Sequence, residues 1–161
     1  AGTAAFAPVL DPAAPAYLLY TSGTTGAPKG VLQTHAGWAR QVDAWGAALG
    51  LTAADALSSL GSVASDTALQ DLGAALASGA ALYPLDVRAL AREALLDRIA
   101  DARLTVLHLT PTLYRYLLGE HVSCRQDLTA VRLLVLGGEP ARAADLALWR
   151  SRFGGRGRFV N

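Results

Sequence analysis

Tyr20-Thr21-Ser22-Gly23-Thr24-Thr25-Gly26-Ala27-Pro28-Lys29-Gly30 is a run of glycines, small hydroxyl residues and one lysine set between two apolar stretches. Ala16-Tyr17-Leu18-Leu19-Tyr20 before it reads as a buried strand, and Gly30-Val31-Leu32-Gln33-Thr34 after it as a second short strand. Glycine has no Cβ to keep a ligand from the backbone N–H groups. Consecutive N–H groups turned the same way form an anion-binding concavity. Ser22, Thr24 and Thr25 add hydroxyl donors, and Lys29 adds a mobile positive charge. The ligand this chemistry fits is a polyphosphate. The run is not a Walker A loop, which needs Gly-Lys-Ser/Thr opening a helix; here Pro28 precedes Lys29, Gly30 follows it, and a strand comes next. A loop that needs only flexibility has no use for Pro28-Lys29-Gly30 in that order.

Outward from this loop, strands and helices alternate. Trp38, Val42, Trp45 and Leu49 share one helical face. Thr52-Ala53-Ala54-Asp55 is a turn with capping character, and 56–60 reads as a strand. Asp66 sits at an N-cap position ahead of Leu69, Leu72 and Leu76 at helical spacing, and Gly79 closes that helix. Residues 80–85, 104–109 and 131–136 read as strands. Asp86 is expected to cap a helix that carries Leu95 and Ile99, and Thr110-Pro111 opens another in cap-then-proline order. Residues 120–129 form a polar loop. Leu146, Trp149 and Phe153 give a last helix its face, and Arg158-Phe159-Val160 begins a final strand. Trp38, Trp45 and Trp149 read as core residues.

This order predicts an α/β fold, a mostly parallel sheet flanked by helices on both faces. Ligands of such sheets bind beyond the carboxyl ends of the strands. The polyphosphate loop, Asp66, His108 and the Gly137-Gly138-Glu139 turn all follow or end strands, so the chemically interesting residues gather along one edge.

The 161 residues are one domain's worth of chain, and with 52% hydrophobic and 17% charged residues it is globular rather than disordered. A net charge of +1 with no basic cluster among aromatics gives no reason to expect nucleic acid. Arg150, Arg152, Arg156 and Arg158 read as a solvated helix end and turn. Cys124 is the only cysteine, which excludes an intrachain disulfide and fits a reducing, cytoplasmic setting. His35, His108 and His121 lack metal-ligand spacing, and no apolar run is long enough to cross a membrane. Residues 1–15, rich in Ala and Pro without a basic start, read as a linker or truncated edge rather than a signal peptide, which leaves 16–161 as the domain.

The eleven-residue run at 20–30 resembles the signature loop of the adenylate-forming ligases: adenylation domains of nonribosomal peptide synthetases, acyl- and aryl-CoA ligases, and luciferases. The resemblance extends along nearly the whole chain. Ser65-Asp66 through Ser78-Gly79 is similar to the segment that carries the substrate aspartate in amino-acid adenylation domains, with Ser65 where that pattern has phenylalanine. Val106-Leu107-His108-Leu109-Thr110-Pro111-Thr112 resembles the strand and turn lining the substrate pocket. Leu134-Val135-Leu136-Gly137-Gly138-Glu139-Pro140 resembles the turn against which adenine lies. Phe159-Val160-Asn161 is similar to the strand leading into a Tyr-Gly-Pro-Thr-Glu signature that this chain does not contain. The resemblance therefore implies a central fragment of the family's large N-terminal domain, C-terminally truncated. The fragment alone is expected to be inactive.

What the resemblance implies for function is amino-acid activation for antibiotic-type peptide biosynthesis. A carboxylate attacks the α-phosphate of ATP, pyrophosphate leaves, and the aminoacyl group passes to a phosphopantetheine thiol on a carrier-protein domain. Thr21, Ser22, Gly23, Thr24, Thr25, Gly26 and Lys29 would hold the β- and γ-phosphates, with Lys29 in the catalytic role. Gly138, Glu139 and Pro140 would border adenine, and would equally serve as a strand-to-helix turn. Asp66 has two readings, a helix cap or a salt bridge to the α-amino group of an amino acid. Thr67, Gln70, His108, Val135 and Gly137 match positions that shape the side-chain pocket, and the polar Gln70 and His108 suit a substrate with a hydrogen-bonding group. His108 is equally a core histidine hydrogen-bonded to backbone, and His35 reads as a helix-start residue. The Mg2+ ligand is expected beyond Asn161, with no metal ligand in this chain. Two alternatives stand beside this one: an acyl- or aryl-CoA ligase, which has no ammonium to neutralise and so no need of Asp66, and a non-catalytic interaction module that keeps the fold.

Overall fold

The computed structural model describes residues 11–21, 28–60, 65–119 and 123–161. Ser22, Gly23, Thr24, Thr25 and Gly26, the central residues of the predicted phosphate loop, lie outside them, as does His121. The described elements are β1 (Pro15–Thr21), β2 (Lys29–Thr34), α1 (His35–Leu49), β3 (Ala56–Ser59), α2 (Asp66–Ser78), β4 (Ala81–Pro84), α3 (Arg92–Asp101), β5 (Val106–Leu109), α4 (Pro111–Leu118), β6 (Leu133–Leu136), α5 (Ala143–Phe153) and β7 (Arg158–Val160).

β3 to β7 form a five-stranded, wholly parallel sheet in the order β4-β3-β5-β6-β7. Successive strand residues point to opposite faces, and the core divides accordingly. Leu107, Leu109, Leu134 and Leu136 pack with Leu95, Ile99, Tyr114, Leu117, Trp149 and Phe153 of α3, α4 and α5. Leu57, Val106, Leu133 and Val135 pack on the other face with Leu49 of α1 and Ala75 of α2. The predicted α/β architecture with helices on both faces is therefore the one observed.

The strand order reverses at β3. The chain leaves β3 through α2 to β4 on one side, then returns through α3 to β5 on the other. Helices diverge at such a switch point and leave a crevice beyond the strand ends. β3 and β5 pair at Leu57–Val106, and one step further along the His108 N–H donates to Ser58 Oγ at 3.1 Å.

β1 and β2 stand apart as an antiparallel hairpin with Tyr20 opposite Gly30 and Thr21 opposite Lys29. This corrects the expectation of a buried strand at 16–20: Leu18, Tyr20, Val31 and Leu32 are exposed. A short apolar run does not reveal by periodicity whether one, both or neither face is covered. A two-stranded hairpin pairs only with itself, so its apolar faces are not sealed by neighbouring strands. Its base is held where His35 N–H donates to Ala14 O and Ala36 N–H to Pro12 O.

Three further expectations are corrected. The N-cap of α2 is Ser65, extended at φ −105° and ψ 149°, with Oγ accepting from Ala68 N–H. Asp66 is already the first helical residue, and its Oδ1 reaches only Thr67 N–H (2.7 Å) and the Thr67 hydroxyl. Asp86 does not cap α3. Its Oδ1 accepts from Arg88 and Ala89 N–H and closes a turn, while α3 begins after Ala91 without a side-chain cap. Finally, the buried face of α2 is Ala68, Asp71, Gly73, Ala74 and Ala75, not the leucine stripe; Leu72 and Leu76 are exposed. Small residues won because they admit α1 closely, the Gly73 Cα facing Val42 and Trp38. The expected Gly79 helix end, at φ 73°, and the Thr110 cap with Pro111 behind it are both present.

Candidate active site at the carboxyl edge of the sheet

The crevice at the switch point is a cavity of ≈ 230 Å³ lined by Leu60, Ser65, Thr67, His108, Leu109, Thr110, Leu113, Gly137 and Gly138. The ends of β3, β5 and β6 contribute one segment each. Leu60, Ser65 and Thr67 follow β3. His108 and Leu109 end β5, and Thr110 caps α4, its Oγ1 accepting from Leu113 N–H. Gly137 and Gly138 follow β6. Gly138 has φ 79°, a left-handed conformation that side chains rarely adopt, and the turn it makes leaves backbone exposed at the crevice mouth.

Of the residues predicted for a substrate pocket, Thr67, His108 and Gly137 meet here. Asp66 lies between two lining residues and is exposed; among the described residues its Oδ2 has no hydrogen-bond partner. Val135 is the register partner of His108 on β6 and is buried in the α1–α2 core rather than lining the cavity. Gln70 is half-buried on α2 and does not line it. Glu139 accepts from the Thr112 hydroxyl and from Thr112 N–H at 3.2 Å, which ties the β6 turn to the start of α4. Pro140 is exposed. Thr21 and Lys29 face each other as the last register pair of the hairpin, next to the residues that connect its strands, and both are exposed. His35 opens α1, as its sequence position suggested.

His108 is neither a free pocket residue nor a histidine bonded to backbone through its ring. Its Nδ1 lies 2.8 Å from Asp71 Oδ1, and both side chains are almost fully buried. Burial pushes the Asp71 carboxyl above its ordinary pKa, with the His108 hydrogen bond and charge acting against that shift. The indole of Trp45 packs beside the imidazole, the rings tilted by 39° with centroids 5.6 Å apart. Asp71 escaped the sequence reading, although a signal was present. Ala68, Asp71 and Ala75 fall at i, i+3 and i+7, so they form a helical face with a carboxylate in it.

The family model described as AMP-binding enzyme matches residues 3–161. The chain belongs to the AMP-binding enzyme family. Syringomycin synthase SyrB1 of Pseudomonas syringae pv. syringae is 37% identical to this AMP-binding chain over 160 residues, covering 92% of the chain and 26% of that protein. Among solved structures, the nonribosomal peptide synthetase FmoA3 in its α-methyl-L-serine-AMP-bound form matches with a TM-score of 0.84 at 32% identity, over 99% of this chain and 18% of that one. The AMPPNP-bound form of FmoA3 matches with the same TM-score at 30% identity, over 100% of this chain and 17% of that one. This AMP-binding segment therefore spans no more than about a quarter of each of these relatives. No helix among its described residues is long and apolar enough to cross a membrane.

Proposed function

We propose that this chain is the central part of an amino-acid-activating domain, with residues 16–161 belonging to its large domain, that forms an aminoacyl-adenylate and pyrophosphate from ATP. The observation that carries the proposal is the convergence of three strand-end segments, 65–67, 108–110 and 137–138, around the crevice where the strand order reverses. FmoA3, similar over the whole of this chain, has been solved with an amino-acid adenylate and with an ATP analogue, which supports both the substrate class and ATP.

In this scheme an oxygen of the substrate carboxylate attacks the α-phosphorus of ATP, and the bond to the β,γ-pyrophosphate breaks. Such chemistry depends on positioning and on stabilising the charge that develops on the leaving group. Thr21, Ser22, Gly23, Thr24, Thr25, Gly26 and Lys29 supply donors and one positive charge to the β- and γ-phosphates. Gly138, Glu139 and Pro140 border adenine, with Glu139 held by Thr112. Asp66 pairs the α-ammonium, and Thr67, Gln70, His108, Val135 and Gly137 shape the side-chain site from within or behind. Mg2+, when bound with ATP, would neutralise charge on the phosphates, its protein ligand being expected beyond Asn161. The acyl group then passes to a phosphopantetheine thiol of a carrier domain, in the cytoplasm.

The CoA-ligase alternative shares every role except that of Asp66. It is favoured by one observation, that Asp66 Oδ1 is already occupied by Thr67. Amino-acid-dependent ATP–pyrophosphate exchange by the parent protein, run with the twenty proteinogenic amino acids and with simple carboxylic acids, separates the two. Exchange with one or a few amino acids is the expected result. Exchange with carboxylic acids alone would replace amino-acid activation by the ligase alternative.

A further inference from the structure

His108 is held from several sides. Its backbone N–H donates to Ser58 Oγ, its Nδ1 meets Asp71 Oδ1, and its ring packs against the tilted indole of Trp45. The remaining nitrogen, Nε2, points at Gly137: a Cβ on that glycine would lie 3.3 Å from it. The fully buried side-chain nitrogens without a partner among the described residues are the indole Nε1 atoms of Trp38 and Trp45. His108 and Gly137 both line the cavity, so Nε2, directed at Gly137, belongs to its wall.

An imidazole has two nitrogens, and the hydrogen bond made by one sets the role and direction of the other. With Nδ1 committed to the Asp71 carboxyl group, the ring cannot flip without leaving a buried carboxyl group unpaired, which is costly. We propose that Asp71 is a positioning residue of the substrate site, holding His108 so that Nε2 reads a hydroxyl or carboxamide on the side chain of the activated amino acid. A hydroxyl or carboxamide both donates and accepts, so it satisfies Nε2 whichever role that nitrogen takes. An apolar side chain of the same size leaves Nε2 unpaired once water is displaced. Gly137 is part of the same device, since a methyl group there would cover the nitrogen. The inference rests on the amino-acid activation proposed above.

The test is ATP–pyrophosphate exchange by the parent protein with isosteric pairs: serine and 2-aminobutyrate, threonine and valine, asparagine and leucine. Sites built to hydrogen-bond a substrate group reject the analogue that lacks it by about 10⁴-fold or more. For this crevice, partly open to water, a preference of at least about 100-fold in kcat/KM for the polar member of one pair is expected. Asp71→Leu should bring that ratio below about tenfold, mainly by raising KM for the polar member. Asp71→Asn, whose amide can still accept from or donate to Nδ1, should retain it. Gly137→Ala, at a backbone conformation open to alanine, and His108→Ala should each collapse the ratio. The last two variants, with Asp71→Asn, decide the matter even where Asp71→Leu does not fold. Survival of the preference in His108→Ala, or its loss in Asp71→Asn to the level of His108→Ala, would overturn the inference while leaving amino-acid activation standing. Absence of exchange with every amino acid would overturn both.

Discussion

Arg132 lays its guanidinium against the Asp55 carboxylate in two parallel hydrogen bonds of 2.7 Å, Nε to Oδ1 and Nη2 to Oδ2. Asp55 precedes β3, Arg132 precedes β6, and Thr105 between them precedes β5 and donates its hydroxyl to Asp55 Oδ1 at 2.7 Å. Thr52 N–H donates to the same carboxylate. One buried aspartate thus ties the amino ends of three adjacent strands, at the edge opposite the crevice. The fold keeps its rigid lock and its open site at opposite ends of one sheet.

The lock gives a stability prediction with a pH sign. The hydrogen bonds from Arg132, ahead of those from Thr105 and Thr52, outweigh burial and hold the Asp55 carboxyl far below the usual carboxylate range. Its folded pKa is depressed, so its contribution is complete above the unfolded value of about 3.9 and is lost as pH falls below it. Asp55→Ala should destabilise the chain by about 2–4 kcal/mol at pH 7, below the full value for a buried pair because Arg132 is partly exposed and can rehydrate. Urea unfolding at pH 7 and at about pH 3 measures both effects. An unchanged acid slope in the variant would place the acid sensitivity elsewhere.

At the start of α2, two neighbouring residues should behave in opposite ways. Ser65→Ala removes the cap and should cost about 1 kcal/mol of stability. Asp66→Asn leaves the Ser65 cap in place and should change the melting temperature little. In the parent protein, however, it should cut amino-acid activation by about 100-fold or more, because a desolvated ammonium then faces a neutral amide. If Asp66→Asn activates amino acids as well as the wild type, Asp66 has only its local role in the helix.

Two helical glycines should also respond with opposite signs. A Cβ on Gly73 meets Val42 Cγ2 and the Trp38 ring, whereas one on Gly46 meets nothing within 4 Å. Gly73→Val should overpack the α1–α2 contact and cost about 2–3 kcal/mol. Gly46→Ala should stabilise by about 0.5–1 kcal/mol through helix propensity and a less free unfolded chain. Thermal unfolding of the two single variants is sufficient to test this, and a stable Gly73→Val would mean that the helices can move apart at little cost.

Lys29 is paired with Thr21 at the end of the hairpin from which residues 22–28 connect the two strands. In the parent, Lys29→Ala should slow adenylate formation by about 10²–10³-fold, the usual effect of removing one donor to developing charge, while amino-acid binding changes little. Single-turnover adenylate formation reads the first quantity and equilibrium dialysis of labelled amino acid the second. An unchanged rate would take the loop out of the mechanism.

The sequence by itself determined most elements and the placing of segments 65–67, 108–110 and 137–138 at or after the ends of strands of the parallel sheet. Thr110-Pro111 and Gly79 delimit helices through constraints that act within a turn, namely cap hydrogen bonds, a fixed φ and a left-handed end. Alternation along β5 put His108 on the same face as Val106. Only the tertiary structure decided that β1 and β2 leave the parallel sheet as an exposed hairpin, that Ser65 rather than Asp66 caps α2, and that α2 buries its alanines, Gly73 and Asp71 while exposing Leu72 and Leu76. It alone joined Asp71 to His108 across 37 residues. Strand order and helix rotation depend on which surfaces pack most closely, and that is a property of pairs of elements. The small residues of α2 let α1 approach, that approach turned the helix, and the turn carried Asp71 onto the imidazole.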